Sequence, residues 1–346
     1  MLKNSVAILI PTMNRQEFLL RTISYYSLVN PDQPIFIGDG SKISFEDECI
    51  KTGINMKNLY YFHLPGLGDR QTMEKLANIA QKNYEFCVFS GDDDFLVPSS
   101  LEKCADFLEH HKDFETAQGR AITLAISKTG PYGKIKSISA HPPVIREVLS
   151  DNALDRFKEI TSNYWVPNFS VHRTHNFSKN IANGIDTVTD RLLGELVNTF
   201  SIIISGKSKF IDCLYLIRNV HDEIDYPSNE DWINKSDWMT SFIALKNIII
   251  TTLKTATSHS DSIIIEQVER NVDNLIQKNK KLETEKFLNF LLRYKLYKFL
   301  KILKSIACYF ISTFPNSYIS VETMRFKTSK YFDQMLPIYR ITERRL

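Results

Sequence analysis

Residues 86–98 read Phe86-Cys87-Val88-Phe89-Ser90-Gly91-Asp92-Asp93-Asp94-Phe95-Leu96-Val97-Pro98. The first four form an apolar run of strand length, and Ser90-Gly91 breaks it. Three adjacent carboxylates then stand at the tip of a strand expected to be buried. Such carboxylates repel one another unless a positive charge lies between them. Mg²⁺ or Mn²⁺ supplies that charge, because hard divalent ions prefer carboxylate oxygens. The same ion can bridge to a diphosphate and stabilise it as a leaving group. A solvated acidic turn that caps the next helix is the plainer alternative. The apolar run before the triplet and Phe95-Leu96-Val97-Pro98 after it favour the ion.

Outward from that stretch, the first half of the chain alternates between strand and helix patterns. Val6-Ala7-Ile8-Leu9-Ile10 predicts a buried parallel strand ending at Pro11. Pro34–Gly38 predicts a second, ending in Asp39-Gly40-Ser41, and Leu59–His63 a third. Helical spacing runs over Glu17–Leu28, Gln71–Gln81 and Ser100–His110. The alternation predicts an α/β fold with an open, mostly parallel central sheet flanked by helices. Ligands of such sheets bind beyond the carboxyl ends of the strands. Thr12–Arg15, Asp39-Gly40-Ser41 and Asp92–Asp94 sit at those ends on three strands and would converge on one crevice, which points to an enzyme.

After residue 115 the pattern is mixed. Strands are expected at Ala121–Ser127, Phe169–His172 and Ser208–Leu216, a loop and helix over Pro142–Ile160, and a helix over Asp186–Phe200. From Trp232 onward the chain reads as helical, including Trp238–Lys254 and Ile263–Lys281, before a basic, aromatic segment at Phe287–Phe314. The expected organisation is a catalytic domain over 1–228, with halves of about 1–115 and 116–228, and a helical, basic C-terminal region over 229–346.

With 346 residues, 43% of them hydrophobic, the chain can bury a sizeable core. Twelve glycines and twelve prolines exclude collagenous and low-complexity classes. The net charge of +3 hides an asymmetry: residues 270–346 carry 16 basic and 6 acidic side chains, a net of +10, against −7 for the rest. A basic tail on an acidic body implies an anionic partner, and no nucleic-acid motif accompanies the charge. Five cysteines, odd in number and widely spaced, argue against a disulfide framework or structural zinc and for a reducing compartment. The Val6–Ile10 run is too short for a signal-peptide core, and no window of about 20 residues lacks charges. The expected location is cytoplasmic, peripheral at the inner face of the plasma membrane.

"AILIPTMNR" (7–15), "IFIGDGS" (35–41) and "CVFSGDDDFLVP" (87–98), in that order and spacing, resemble family 2 glycosyltransferases with the GT-A fold. The resemblance extends over about residues 4–225 and is strongest before residue 100. It implies a nucleotide-sugar donor, a divalent metal, and nucleotide-binding and acceptor-binding halves in one domain. By that resemblance Pro11, Thr12 and Arg15 line the nucleotide pocket, and Asp39 contacts the base. Asp92 approaches the ribose, Asp93 accompanies it, and Asp94 coordinates the metal. The form of the motifs looks closest to bacterial members, which implies a glycan or lipid-linked acceptor and a place in surface polysaccharide synthesis. Gly38 departs from the pattern, since the family carries an acidic residue there.

Transfer with inversion needs a carboxylate that removes the acceptor's proton on the face opposite the leaving diphosphate. In the family this acid starts a helix after the acceptor-side strand, a position occupied here by "TVTDRLLGELV" (187–197). Asp190 matches the family's acid, Glu195 competes from about one turn further on, and Asp186 is a third choice. "LYLIRNVHDE" (214–223) resembles the segment that closes over the diphosphate, with Arg218 neutralising charge and His221 on metal or phosphate. Arg70, after Gly66-Leu67-Gly68-Asp69, is a candidate phosphate contact. Trp165, Asn168 and His172 lie in a stretch suited to stacking on a sugar ring. Lysines and Arg293 interleaved with apolar residues over 287–314 suit an anionic bilayer surface, with packing of the apolar stripe on neighbouring helices as the default alternative. The rival classes are a nucleotidyltransferase, which needs a glycine-rich phosphate loop after the first strand, and a non-catalytic membrane-associated scaffold.

Overall fold

In the computed structural model, which describes residues 5–127, 130–140, 147–220, 238–278 and 331–344, the apolar run ahead of the first proline is the β1 strand, Val6–Thr12. It is buried on both faces: Ile8 and Ile10 point into one core cluster, Ala7 and Leu9 into another. Strands β2 (Ile35–Asp39), β3 (Leu59–His63) and β4 (Phe86–Phe89) run parallel to it. Thr12 pairs with Asp39 and Leu9 with Phe89, so the first loop, Asp39 and the triplet share one end of the sheet.

The sheet is completed by β5 (Phe95–Leu96), β6 (Phe114–Ile126), β7 (Ile135–Ala140), β8 (Val171–Arg173) and β9 (Lys207–Val220). Its nine strands are ordered β3-β2-β1-β4-β8-β6-β9-β5, with β7 on β6. β8 is antiparallel to both neighbours, β6 and β9 are parallel, and β5 and β7 are antiparallel additions. Six of the nine strands therefore point one way, and the fold is the expected mixed α/β arrangement with a largely parallel, curled sheet. The two-residue β5 has a large consequence. It turns the chain after Asp94 back onto β9, pairing Phe95 with Ile217, and so carries the triplet to Arg218 and Asn219.

Helices α1 (Gln16–Val29) and α4 (Pro98–His110) cover one face, where Ile23, Tyr25 and Leu101 meet Ile8, Phe95 and Leu216. The proline that ends the motif is the first residue of α4, where its missing N–H costs nothing. A helix at Phe332–Thr342, inside the C-terminal region expected to be helical, adds Met335, Ile338 and Ile341 to this same cluster. Helix α2 (Glu46–Thr52) packs at the edge beside α1. On the other face α3 (Asp69–Ala80) and α6 (Thr174–Ala182) bury Met73, Leu76, Phe177 and Ile181 against Leu9 and Phe36.

A third cluster joins α5 (Ala153–Ser162), α7 (Arg191–Ser205), α8 (Trp238–Ala256) and the helix over 261–278, through Phe157, Phe200, Leu245 and Val268. Arg156 ties this layer together. Its guanidinium donates to Ile203 O (2.8 Å) and Ile204 O (2.6 Å), satisfying carbonyls at the carboxyl end of α7, and to Asp151 O (2.7 Å) just ahead of α5. The helix expected over 186–200 is corrected here: α7 begins at Arg191, because the Asp190 carboxylate accepts from Leu193 N (2.9 Å) and caps it. The expected 228/229 boundary lies outside the described residues.

Phe200 is fully buried and meets Phe157 edge to face, with ring centroids 5.2 Å apart. Phe200→Ala should lower the free energy of unfolding by about 3–5 kcal/mol, measured by urea denaturation. A loss below about 1 kcal/mol would mean that the helical layer does not share the cooperative core.

Candidate active site

The triplet is held from every side. Thr12 Oγ1 donates to Asp92 Oδ2 at 2.7 Å, and Arg15 reaches Asp92 Oδ1 with Nε (3.2 Å) and Asp93 Oδ2 with Nη2 (2.7 Å). Asp94 Oδ1 accepts from the Asn219 backbone N–H at 3.1 Å, and Arg218 Nε lies 3.5 Å from Asp94 Oδ2. Beneath the side chains, Thr22 Oγ1 donates to Asp92 O (2.8 Å) and Arg21 Nη2 to Asp93 O (2.7 Å). Gly91 is required by space: a Cβ there would stand 2.7 Å from Asp93 Oδ1. Asn14, at φ 57°, turns the first loop so that Arg15 faces the carboxylates, and its N–H is satisfied by Ser41 Oγ at 2.8 Å.

Burial dominates the electrostatics. Asp92 is 5% exposed and Asp94 2%. Desolvation pushes the Asp92 carboxyl up to about 6, with Arg15 opposing. Desolvation and then repulsion from Asp93 push Asp94 up to about 7, against the pull of Arg218. The guanidinium groups present do not fully compensate these carboxylates, so the site favours further positive charge.

Two cavities meet at this point. One of about 460 Å³ is lined by Pro11, Thr12, Arg15 and Asp92–Asp94. The other, of about 380 Å³, is lined by Tyr164, Trp165, Asn168, Glu195 and Asn198. Asp69, Phe89, Phe169, Arg191 and Arg218 line both and form a common wall. Arg218 stacks on Phe169 with 4.9 Å to the ring centroid, and Arg191 Nε pairs with Asp69 Oδ2 at 3.2 Å across the cleft. Glu195 is largely buried and accepts from the Tyr164 hydroxyl at 3.0 Å; desolvation raises its pKa above the ordinary carboxylate range, and the tyrosine opposes the rise.

The structure thus brings together Pro11, Thr12, Arg15, Asp92, Asp93, Asp94, Arg218, Glu195, Trp165 and Asn168 of the residues expected from sequence. Others it places elsewhere. Asp190 caps α7 and lines neither cavity, and Asp186 lies in the turn before it, also outside both. Asp39 is fully buried, with one oxygen accepting from Ser41 N (2.8 Å) and the other from the Tyr61 hydroxyl. Arg70 lines the second cavity, yet its guanidinium donates to Val188 O (3.2 Å), Asn183 O (3.0 Å) and Asn198 Oδ1 (3.4 Å), bracing α3 against α7. His172 is wholly buried in β8 between β4 and β6, bonds through Nε2 to Asn168 O at 3.2 Å and packs its ring tilted against Phe177, away from any sugar-binding surface. His221 lies outside the described residues. Among the described residues no three His, Cys, Asp or Glu side chains form a group that could hold a metal ion.

Sequence reasoning missed Arg191, Tyr164, Asn219 and Arg21. Arg21 carried a usable signal, since a charged residue three positions after Phe18 falls on the buried stripe of α1. The others depend on contacts far apart in the chain.

No family model matches the chain, and no curated protein matches it. Among solved structures it resembles that of S. aureus TarS residues 1–349 in complex with UDP, at 12% identity and a TM-score of 0.48, covering 78% of this chain and 70% of that one. The complex of the same segment with UDP-GlcNAc gives 13% identity and a TM-score of 0.46, covering 78% and 71%. The chain spans 43% of the length of a further TarS structure, at 12% identity. A structure of 4-diphosphocytidyl-2C-methyl-D-erythritol synthase gives 9% identity and a TM-score of 0.36, covering 66% and 97%. These likenesses describe a shared outline and carry no argument about activity.

Burial lowers the His172 pKa from 6.5 to about 4. Between those values the unfolded chain takes up a proton that the folded chain refuses, so this stability is complete above about 6.5 and lost as the pH falls toward about 4. His172→Gln should remove up to about 3 kcal/mol of that acid-side loss, read as a flatter urea-unfolding profile from about pH 7 to about pH 4.5. The raised carboxyls of Asp92, Asp94 and Glu115 act with the opposite sign and are common to both proteins. Parallel profiles would refute the assignment of His172 as a buried neutral group.

Proposed function

We propose that the chain is a metal-dependent, inverting glycosyltransferase that moves a sugar from a nucleotide-sugar donor to a hydroxyl of a glycan or lipid-linked acceptor. One observation carries the reading: the carboxylate cavity and the Glu195 cavity meet at a wall that presents Arg191 and Arg218. The donor's diphosphate belongs on the triplet side, with Pro11, Thr12 and Arg15 beside the nucleotide. The acceptor belongs on the Glu195 side, where Trp165 and Tyr164 offer aromatic faces and Asn168 and Asn198 offer amides.

Asp92 and Asp94 are the proposed metal ligands. Mg²⁺ is commonly held by one or two carboxylates and completed by substrate phosphates and water. Two buried carboxylates with raised proton affinity fit that mode. Bound there, the ion would neutralise the departing diphosphate. Glu195 takes the proton of the acceptor hydroxyl as its oxygen bonds to the anomeric carbon. The bond from that carbon to the phosphate oxygen breaks, and its electron pair leaves with the nucleoside diphosphate. A base whose pKa is raised by burial holds the proton more readily than an exposed glutamate. Tyr164 fixes the carboxylate's orientation, and Arg218 and Arg191 offer positive charge to the leaving group.

A nucleotidyltransferase needs a glycine-rich phosphate loop after β1; Thr12-Met13-Asn14-Arg15 supplies instead an arginine aimed at the triplet. The role in bacterial surface polysaccharide synthesis is proposed from sequence resemblance alone. The basic segment 287–314 lies outside the described residues, and a bilayer-facing role for it is proposed on its charge pattern. Among the described residues no helix is long and apolar enough to cross a membrane.

The unfolding midpoint, followed with Mn²⁺ and UDP-, GDP-, dTDP- or CMP-sugars, should rise for one nucleotide class and not in chelator. UDP and UDP-GlcNAc, the ligands in the TarS structures, are the first probes. Stabilisation by none of them, or by one equally well in chelator, would sink the reading. With a donor in hand, Glu195→Gln should slow transfer about 10²–10⁴-fold while donor binding persists. Asp190→Asn should keep turnover and stability, since asparagine caps a helix as well as aspartate. The reverse pattern would move the base to Asp190.

A further inference from the structure

Arg21, on α1, is the largest polar group among the fully buried side chains and lines neither cavity. A guanidinium without solvent is retained only where its hydrogen bonds and charge replace what water gave. Arg21 Nη2 donates to Asp93 O at 2.7 Å, and Nη1 donates to Pro131 O in the turn between β6 and β7. With its amide oriented to satisfy both ends, Asn219 accepts from Arg21 Nη1 at 3.0 Å and donates to Leu124 O at 3.1 Å. The plane of Arg21 also lies 4.8 Å from the centroid of Phe95, the residue after the triplet. One side chain therefore grips the main chain of the triplet and the residue whose N–H holds Asp94.

The turn that Arg21 holds is itself held by the helix Phe332–Thr342. Gly133 N donates to Thr342 O at 3.0 Å and Ile135 N to Glu343 Oε1 at 3.0 Å, while Arg344 lies 3.9 Å above the Tyr132 ring. That helix packs Ile338 and Ile341 into the same apolar cluster as α1.

We propose that Arg21 is a positioning residue that fixes the Asp92–Asp94 main chain and Asn219, and that the Phe332–Thr342 helix sets Arg21 through the Pro131 turn. The Phe332–Thr342 helix is thereby part of the active-site scaffold, although none of its residues lines either cavity. The proposal rests on the triplet being the donor-diphosphate and metal site for its functional meaning, and on geometry alone for the coupling.

Hydrogen exchange of the full chain, followed by mass spectrometry, tests the coupling without any ligand. Glu343→Ala/Arg344→Ala, which removes the two side-chain contacts to the Pro131 turn, should speed exchange in residues 90–96 and 217–220 about tenfold while β3, residues 59–63, is unchanged. Arg21→Lys, which keeps the charge and loses the fork, should do the same and weaken Mn²⁺ affinity about tenfold, read from the spin-resonance signal of free Mn²⁺. Unchanged exchange at 90–96 in the double variant overturns the link to the C-terminal helix. Equal acceleration across the sheet, or Mn²⁺ affinity intact in Arg21→Lys, reduces Arg21 to a packing role. If Arg21→Lys does not fold, the double variant decides alone. A wild-type chain stabilised by no nucleotide sugar would sink the functional reading while leaving the exchange result to judge the coupling.

Discussion

Three carboxylates on consecutive residues, brought together at the buried end of β4, set the terms for the surrounding structure. Withdrawing them from water raises the free energy of their ionised forms, and their mutual repulsion adds to it. The chain answers with donors from three places: Thr12 at the end of β1 with Arg15 in the loop after it, Arg21 and Thr22 from α1, and Arg218 and the Asn219 N–H from the end of β9. Each element is there for a local reason. Asn14 takes a left-handed conformation so that Arg15 turns inward, and β5 doubles back so that β9 delivers its arginine. The raised proton affinities of Asp92 and Asp94 show that this compensation is incomplete.

The two acidic candidates of α7 show how environment assigns roles to chemically similar groups. Asp190 stands at the helix start, where free backbone N–H groups take up its carboxylate. Glu195 lies further along the helix, faces a cavity, and has a tyrosine hydroxyl for a partner. The first environment consumes lone pairs; the second raises proton affinity and leaves the group in reach of a ligand. Arg70 and Arg218 divide in the same way, one spent on carbonyls of the α6–α7 connection, the other shared between two cavities.

What the sequence made legible follows the range of the interactions. Strands β1, β2 and β4 declare themselves because each is buried on both faces and almost wholly apolar, whereas β3, at the sheet edge and only partly buried, shows as a short run of aromatic residues. The triplet is legible because its repulsion is local. Helix α7 was placed too early because Val188 and Leu193 continue an apolar spacing across the cap, and the break lies in one side-chain bond that no periodicity records. The fates of Asp39 and Arg70 were hidden, since their partners Tyr61 and Val188 stand 22 and 118 residues away. β5 and β7 were missed because they form as pairings to β9 and β6 rather than as independent apolar runs.

Charge balance gives a reason for the whole arrangement. Around the triplet stand three carboxylates and three guanidinium groups, Arg15, Arg21 and Arg218, so the ligand-free site is close to neutral. A divalent cation answers the carboxylates, whose raised proton affinity favours added positive charge, and a diphosphate answers the arginines. Arriving together, the two add no net charge, and each offsets the repulsion that the other would face. In the proposed reading Arg15 and Arg218, which line the carboxylate cavity, are placed to meet phosphate oxygens, whereas Arg21, bonded to main chain and lining neither cavity, is not. The division between arginines that face the cavity and one that lies beneath it would let the site accept a highly charged ligand on a backbone that is separately braced.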